Sequence, residues 1–71
     1  MSDPKYVAQM IDLKIKRLPL FGAMKSSGRY EDDREIIDRI LEMREEARAG
    51  GNPEEVLHEE GFEPDYVFDL I

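Results

Sequence analysis

Ile11-Asp12-Leu13-Lys14-Ile15-Lys16 alternates apolar and polar residues without a break, as a half-exposed strand does. The same residues sit inside a longer stretch in which Tyr6, Val7, Met10, Ile11, Ile15 and Leu18 recur near helical spacing. Ser2-Asp3-Pro4 precedes that stretch with a capping side chain and a proline at a first helical position. A helix over residues 4–17 is therefore expected, with a half-exposed strand over 11–16 as the competing reading. The helix makes the chain all-α, whereas the strand would suit a paired β ribbon.

Pro19 stops either element, and Gly22, Ser26, Ser27 and Gly28 predict a loop over residues 19–31. That loop contains Leu20, Phe21 and Met24, which are expected to tuck under the fold or to meet a partner. The next element is better marked. Asp32 or Asp33 caps it, acids crowd its first turn, and Ile36, Ile37, Ile40, Leu41, Met43 and Ala47 form a broad apolar stripe. A spine helix from Asp33 to Ala49 follows, ended by Gly50-Gly51. Asn52-Pro53-Glu54-Glu55 restates a helix start, with Asn52 as cap, Pro53 in the first position and Glu55 three residues after the cap, and Gly61 closes this short helix. Pro64 opens a last helix in which Tyr66, Val67, Leu70 and Ile71 share a face that should be docked, with Phe68 left over. The expected architecture is all-α: a small bundle of three or four helices forming a single domain over residues 1–71, with a basic helix plus loop over 1–30 and an acidic helical body over 31–71.

Charge divides the chain in the same place. Residues 1–30 carry six Lys/Arg against two Asp, and residues 31–71 carry four Arg against fifteen Asp/Glu, giving +4 and −11 within a net charge of −7. Fields of opposite sign imply two surfaces with different partners, or a basic segment folded onto an acidic body. Without Cys there is neither a disulfide framework nor a thiolate metal site, so a reducing, cytoplasmic setting is expected. No segment approaches the roughly 20 apolar residues of a membrane span. At this length stability is marginal or shared with a second copy, so a homodimer belongs among the expected states.

Most catalytic mechanisms need residues this sequence does not supply: it has one His, no Cys and no Trp. Glu55 and His58 have the Glu-x-x-His spacing of carboxylate-bridged di-iron bundles, but Val56 and Leu57 define the buried side of that helix and turn Glu55 and His58 away from it. The acids Glu31-Asp32-Asp33-Glu35 and Glu54-Glu55 are explained by the field of a helix N-terminus. Gly22-Ala23-Met24-Lys25-Ser26-Ser27-Gly28-Arg29 has the ingredients of a phosphate cradle in neither the order nor the context of a P-loop, and reads as a flexible basic loop. No enzyme, cofactor or metal is expected.

Leu57, Gly61, Phe62, Val67 and Leu70 have a spacing that resembles a helix-turn-helix unit, in which Gly permits a left-handed turn and the flanking apolar residues lock the second helix to the first. The resemblance covers residues 53–71, and it departs from the pattern at Leu57, where a small residue is usual, and at Glu60, where an apolar one is usual. It implies a tri-helical fold with the Ile36 to Ala47 helix as third member. Glu63, Asp65 and Asp69 on the would-be recognition helix, with no Lys or Arg, argue against DNA reading by that helix. The charge layout resembles that of small antitoxins, which join a basic DNA-binding part to an acidic part that neutralises a toxin. On that plan Lys14, Lys16, Arg17, Lys25 and Arg29 are the nucleic-acid contacts, and Ile11 to Lys16 would be a strand of the ribbon-helix-helix type.

The leading expectation is a small non-enzymatic acidic regulator or adaptor that binds a protein partner with a basic surface. Its expected contacts are Leu20, Phe21, Asp65, Phe68, Asp69 and Ile71, the carboxylates steering the partner and the apolar side chains anchoring it. The alternative is a dimeric DNA-binding regulator or antitoxin acting through the basic N-terminal segment.

Overall fold

The computed structural model describes residues 3–71, so Met1 and Ser2 lie outside the described residues. The structure is all-helical, with no strand among the described residues: α1 (Pro4–Lys16), α2 (Pro19–Ser27), α3 (Asp33–Arg48), α4 (Pro53–Glu60) and a 3₁₀ helix (Pro64–Leu70). Residues 11–16 are therefore helical, and the alternation of their side chains does not form a ribbon. Asp3 caps α1, its Oδ1 accepting from the Lys5 N–H at 2.8 Å.

The expected loop after Pro19 is the main correction. Pro19 starts a helix there instead of only ending one, because at a first helical position its fixed φ is already helical and its missing N–H is not needed. Leu20, Phe21 and Met24 form the stripe that holds α2 to the body, each at most 6% exposed. Leu18, the residue at the cap position, has no side chain able to cap. Asp69 supplies that function from the far side of the sequence, its Oδ2 accepting from the Leu20 N–H at 2.9 Å. Asp69→Ala is expected to cost about 1 kcal/mol, the usual worth of a cap, whereas Asp69→Asn retains an acceptor and loses less. Denaturant midpoints of the two variants check this, and equal losses would contradict it.

α3 is the spine. The Asp32 Oδ1 accepts from the Glu35 N–H at 2.9 Å, and the Glu35 carboxylate accepts from the Glu31 N–H at 2.7 Å. Ile36, Ile37, Ile40 and Met43 turn its apolar stripe into the core. After Arg48 the chain passes so close to α3 that a Cβ on Gly51 would stand 2.6 Å from the Glu46 carbonyl oxygen, so only glycine fits. α4 has the expected bounds, with the Asn52 Oδ1 accepting from the Glu54 N–H and Val56 and Leu57 buried. Gly61 at φ 88° makes the left-handed turn that lets the Phe62 N–H donate to the Leu57 carbonyl.

The last element has the tighter 3₁₀ period, and this changes which residues face inward. With three residues per turn, Val67 and Leu70 fall on one side and Phe68 and Ile71 on another. Leu70 is buried and Val67 half-buried, while Phe68 and Ile71 are each 79% exposed. Ile71 thus leaves the face it was expected to share with Tyr66, Val67 and Leu70.

Candidate functional site

The expected contact residues separate into three groups. Leu20 and Phe21 belong to the core and offer no surface to a partner, because the helix they sit on packs onto α3 and the 3₁₀ helix. Asp69 is half-buried and its carboxylate is held by α2, while its backbone carbonyl accepts from Arg44 Nε at 2.9 Å. Asp65, Phe68 and Ile71 are exposed. Phe68 borders an open cleft of about 410 Å³ lined by Pro19, Glu63, Asp65, Tyr66 and Asp69. Ile71 borders a smaller one, about 230 Å³, with Ala47, Arg48, Pro53 and Leu70. The result is an aromatic ring standing in water beside carboxylates, on an element pinned beneath by buried Leu70 and by the bonds that Asp69 makes.

The basic residues also divide. Lys25 pairs with Asp33 at 3.2 Å and lies 5.9 Å from the centroid of the Phe21 ring. Arg29 donates from Nη2 to the Glu60 carbonyl at 2.6 Å, and its guanidinium covers the Phe62 ring at 4.9 Å. Both are exposed and engaged with the body. Among the described residues Lys14, Lys16 and Arg17 make no ion pair, and all three are exposed on α1 and its cap.

The densest polar cluster joins α3, α4 and the segment between α2 and α3. The Glu60 Oε1 accepts from Arg39 Nη2 at 2.8 Å and its Oε2 from the Tyr30 hydroxyl at 2.7 Å, while Arg39 Nη1 reaches Glu42 and Glu46. Glu60, which departs from the helix-turn-helix spacing by being charged, is accommodated because these partners match both of its oxygens. The Arg39 hydrogen bond, helped by that of Tyr30, holds the Glu60 carboxyl below its ordinary 4.5 against the opposing effect of burial. Burial first, then the bond to Glu60, pushes the Tyr30 hydroxyl up to about 12. Every charged member is matched by another, which is the pattern of a brace between elements.

The brace makes a two-sided pH prediction. Glu60 has a lower pKa folded than unfolded, so its contribution is present above pH 4.5 and is lost as the pH falls through the folded value. Tyr30 has a higher pKa folded, so its contribution is present below pH 10 and is lost as the pH rises from 10 to about 12. In urea titrations at stepped pH, Glu60→Gln is expected to flatten the acid limb and Tyr30→Phe the alkaline limb. Variants that run parallel to the parent through both limbs would contradict the assignment.

Val56 and Leu57 are buried while Glu55 and His58 are exposed, the sides on which the helical wheel places them. No group of three or more His, Asp or Glu among the described residues is arranged to hold a metal ion, and no helix there is long and apolar enough to cross a membrane.

Two features of this surface escape a reading of the sequence. The cap between Asp69 and Leu20 joins positions 49 residues apart, and nothing local marks it. The exposed apolar set on α1, with Tyr6 58%, Val7 43%, Met10 40%, Ile11 42% and Leu13 51% exposed, has the spacing of a core-facing stripe. Comparison with protein families, with curated proteins and with solved structures finds no match to this chain.

Proposed function

We propose that this chain is a small non-enzymatic regulator or adaptor that binds a protein partner through the acidic, apolar-tipped surface of its 3₁₀ segment. One observation carries the reading: Phe68, a large aromatic side chain, keeps 79% of its surface in water on a firmly anchored element. Exposed aromatic residues held on rigid supports are the usual anchors of interfaces, and they lose little conformational freedom on binding. The surrounding Glu63 and Asp65 select a partner whose socket is apolar and whose rim is basic. The α4–Gly61–3₁₀ unit, with its helix-turn-helix-like spacing, then serves as a protein-docking unit. Leu20, Phe21 and Asp69 contribute by holding the surface in place.

The experiment is affinity capture with two immobilised baits, the parent chain and Phe68→Glu, from a lysate of the source cell at low and moderate salt. A protein retained by the parent, lost from Phe68→Glu and weakened by salt supports the proposal. Identical captures on both baits would overturn it.

A further inference from the structure

We infer that the cleft between Pro19 and the 3₁₀ helix takes an arginine side chain of the partner protein, an inference that rests on docking at this surface. The cleft holds about 410 Å³, within the range of ligand sites, and is lined by Pro19, Glu63, Asp65, Tyr66, Phe68 and Asp69. Two of those side chains are aromatic and three carry carboxylates. The ligand that suits both is a cation with a face that lies against a ring.

This chain does not supply the cation itself. Among the described residues no Lys or Arg lines the cleft, whereas two larger clefts along α3 contain Arg34 and Arg39, or Arg44 and Arg48, beside their acids. The Asp69 carboxylate is occupied in capping α2. Glu63 and Asp65 are exposed, and among the described residues neither carboxylate accepts a hydrogen bond or joins an ion pair. The Phe68 ring beside them is 79% exposed, and the cations that do cover rings lie over Phe21, Tyr30 and Phe62. Acids and ring alike are thus left for a group from outside.

Geometry selects arginine over lysine. A guanidinium is planar, so its face can rest on a ring while its edge donates to carboxylates, and it is more weakly hydrated than an ammonium. The chain makes this arrangement internally: the Arg29 guanidinium lies 4.9 Å from the Phe62 ring centroid while its Nη2 donates to the Glu60 carbonyl at 2.6 Å. The partner's arginine repeats it with Phe68 as the platform and Glu63 and Asp65 as the acceptors.

The test is an amide chemical-shift titration of the ¹⁵N-labelled full chain at moderate salt with three probes: N-acetyl-arginine amide, N-acetyl-lysine amide and N-acetyl-citrulline amide, the last a neutral isostere of the first. The arginine probe is expected to move the Asp65, Tyr66 and Phe68 amides saturably, with a dissociation constant on the order of millimolar. The lysine probe is expected to bind about threefold more weakly and the citrulline probe about tenfold more weakly. Phe68→Leu, which keeps an apolar side chain and removes the ring, and Asp65→Asn are each expected to weaken the arginine probe about threefold. Unchanged spectra elsewhere in these variants show that the fold is intact. Unsaturable shifts spread over the exposed acids of α3 and α4 would mark attraction to the −11 of residues 31–71 alone and overturn the inference. Citrulline binding as well as arginine, lysine binding more tightly, or a Phe68→Leu variant binding like the parent would also overturn it. A partner captured by the parent and lost from Phe68→Glu, in a chain that does not bind the arginine probe, removes the arginine and leaves docking standing. Identical captures on both baits overturn docking whatever the probe does.

Discussion

Ile40→Ala is expected to lower the thermal midpoint by about 10–25 °C. Ile40 is fully buried at the middle of α3, the helix against which α1, α2, α4 and the 3₁₀ helix all pack. Truncating a buried Ile to Ala removes its transfer free energy and leaves a cavity, at a cost on the order of 3 kcal/mol. A domain of this length holds roughly 4–10 kcal/mol in total. Each kcal/mol shifts the midpoint by about 4–8 °C at this size. Ile40→Val leaves most of the volume filled and is expected to cost only about 1 kcal/mol. Thermal unfolding followed by circular dichroism checks both. A loss for Ile40→Ala no greater than that for Ile40→Val would mean that α3 is not the centre of the core.

The second large effect is on binding and leaves stability alone. Phe68→Ala is expected to weaken the partner complex by at least about 30-fold, the 2 kcal/mol or more that separates an anchor from its neutral surroundings. The same substitution removes a side chain already 79% in water, so unfolding free energy is expected to stay within about 0.5 kcal/mol of the parent. Leu20→Ala has the opposite signature. It empties a fully buried site and destabilises the fold by about 2–5 kcal/mol, with any loss of binding following from unfolding. A surface anchor and a core residue, both apolar and both expected from sequence to touch a partner, are thus told apart by measuring affinity and stability on the same variants.

Those two residues also show where sequence reading succeeds and where it stops. α3 and α4 are legible because each has a local cap, Asp32 or Asn52, a periodic apolar stripe and a glycine beyond its last turn. α2 is not, because Gly22 and the serines have the composition of a loop and the acceptor that completes its first turn is Asp69. Gly22 costs the helix about 1 kcal/mol in propensity, and burial of Leu20, Phe21 and Met24 outweighs that. The 3₁₀ helix is legible as a helix but not in its period. Over seven residues the difference between 3.0 and 3.6 per turn is enough to move Ile71 out of the core face. On α1 the pattern shows which residues prefer burial and is silent on whether their own chain or another buries them. Of the candidate site, Phe68 is legible as a surface residue because the segment holds more apolar side chains than one helix face can cover, whereas the helical period places Ile71 on the docked face.

Docking of a partner on the 3₁₀ surface is tested most directly by amide chemical-shift mapping. The captured partner is titrated into ¹⁵N-labelled chain, and shifts are followed residue by residue. The largest changes are expected to cluster at Glu63, Asp65, Tyr66, Phe68 and Ile71, with α1 and the Arg39–Glu60 brace unmoved. Changes centred on α1 or on the brace, with the Phe68 amide unperturbed at saturation, would contradict docking at this surface.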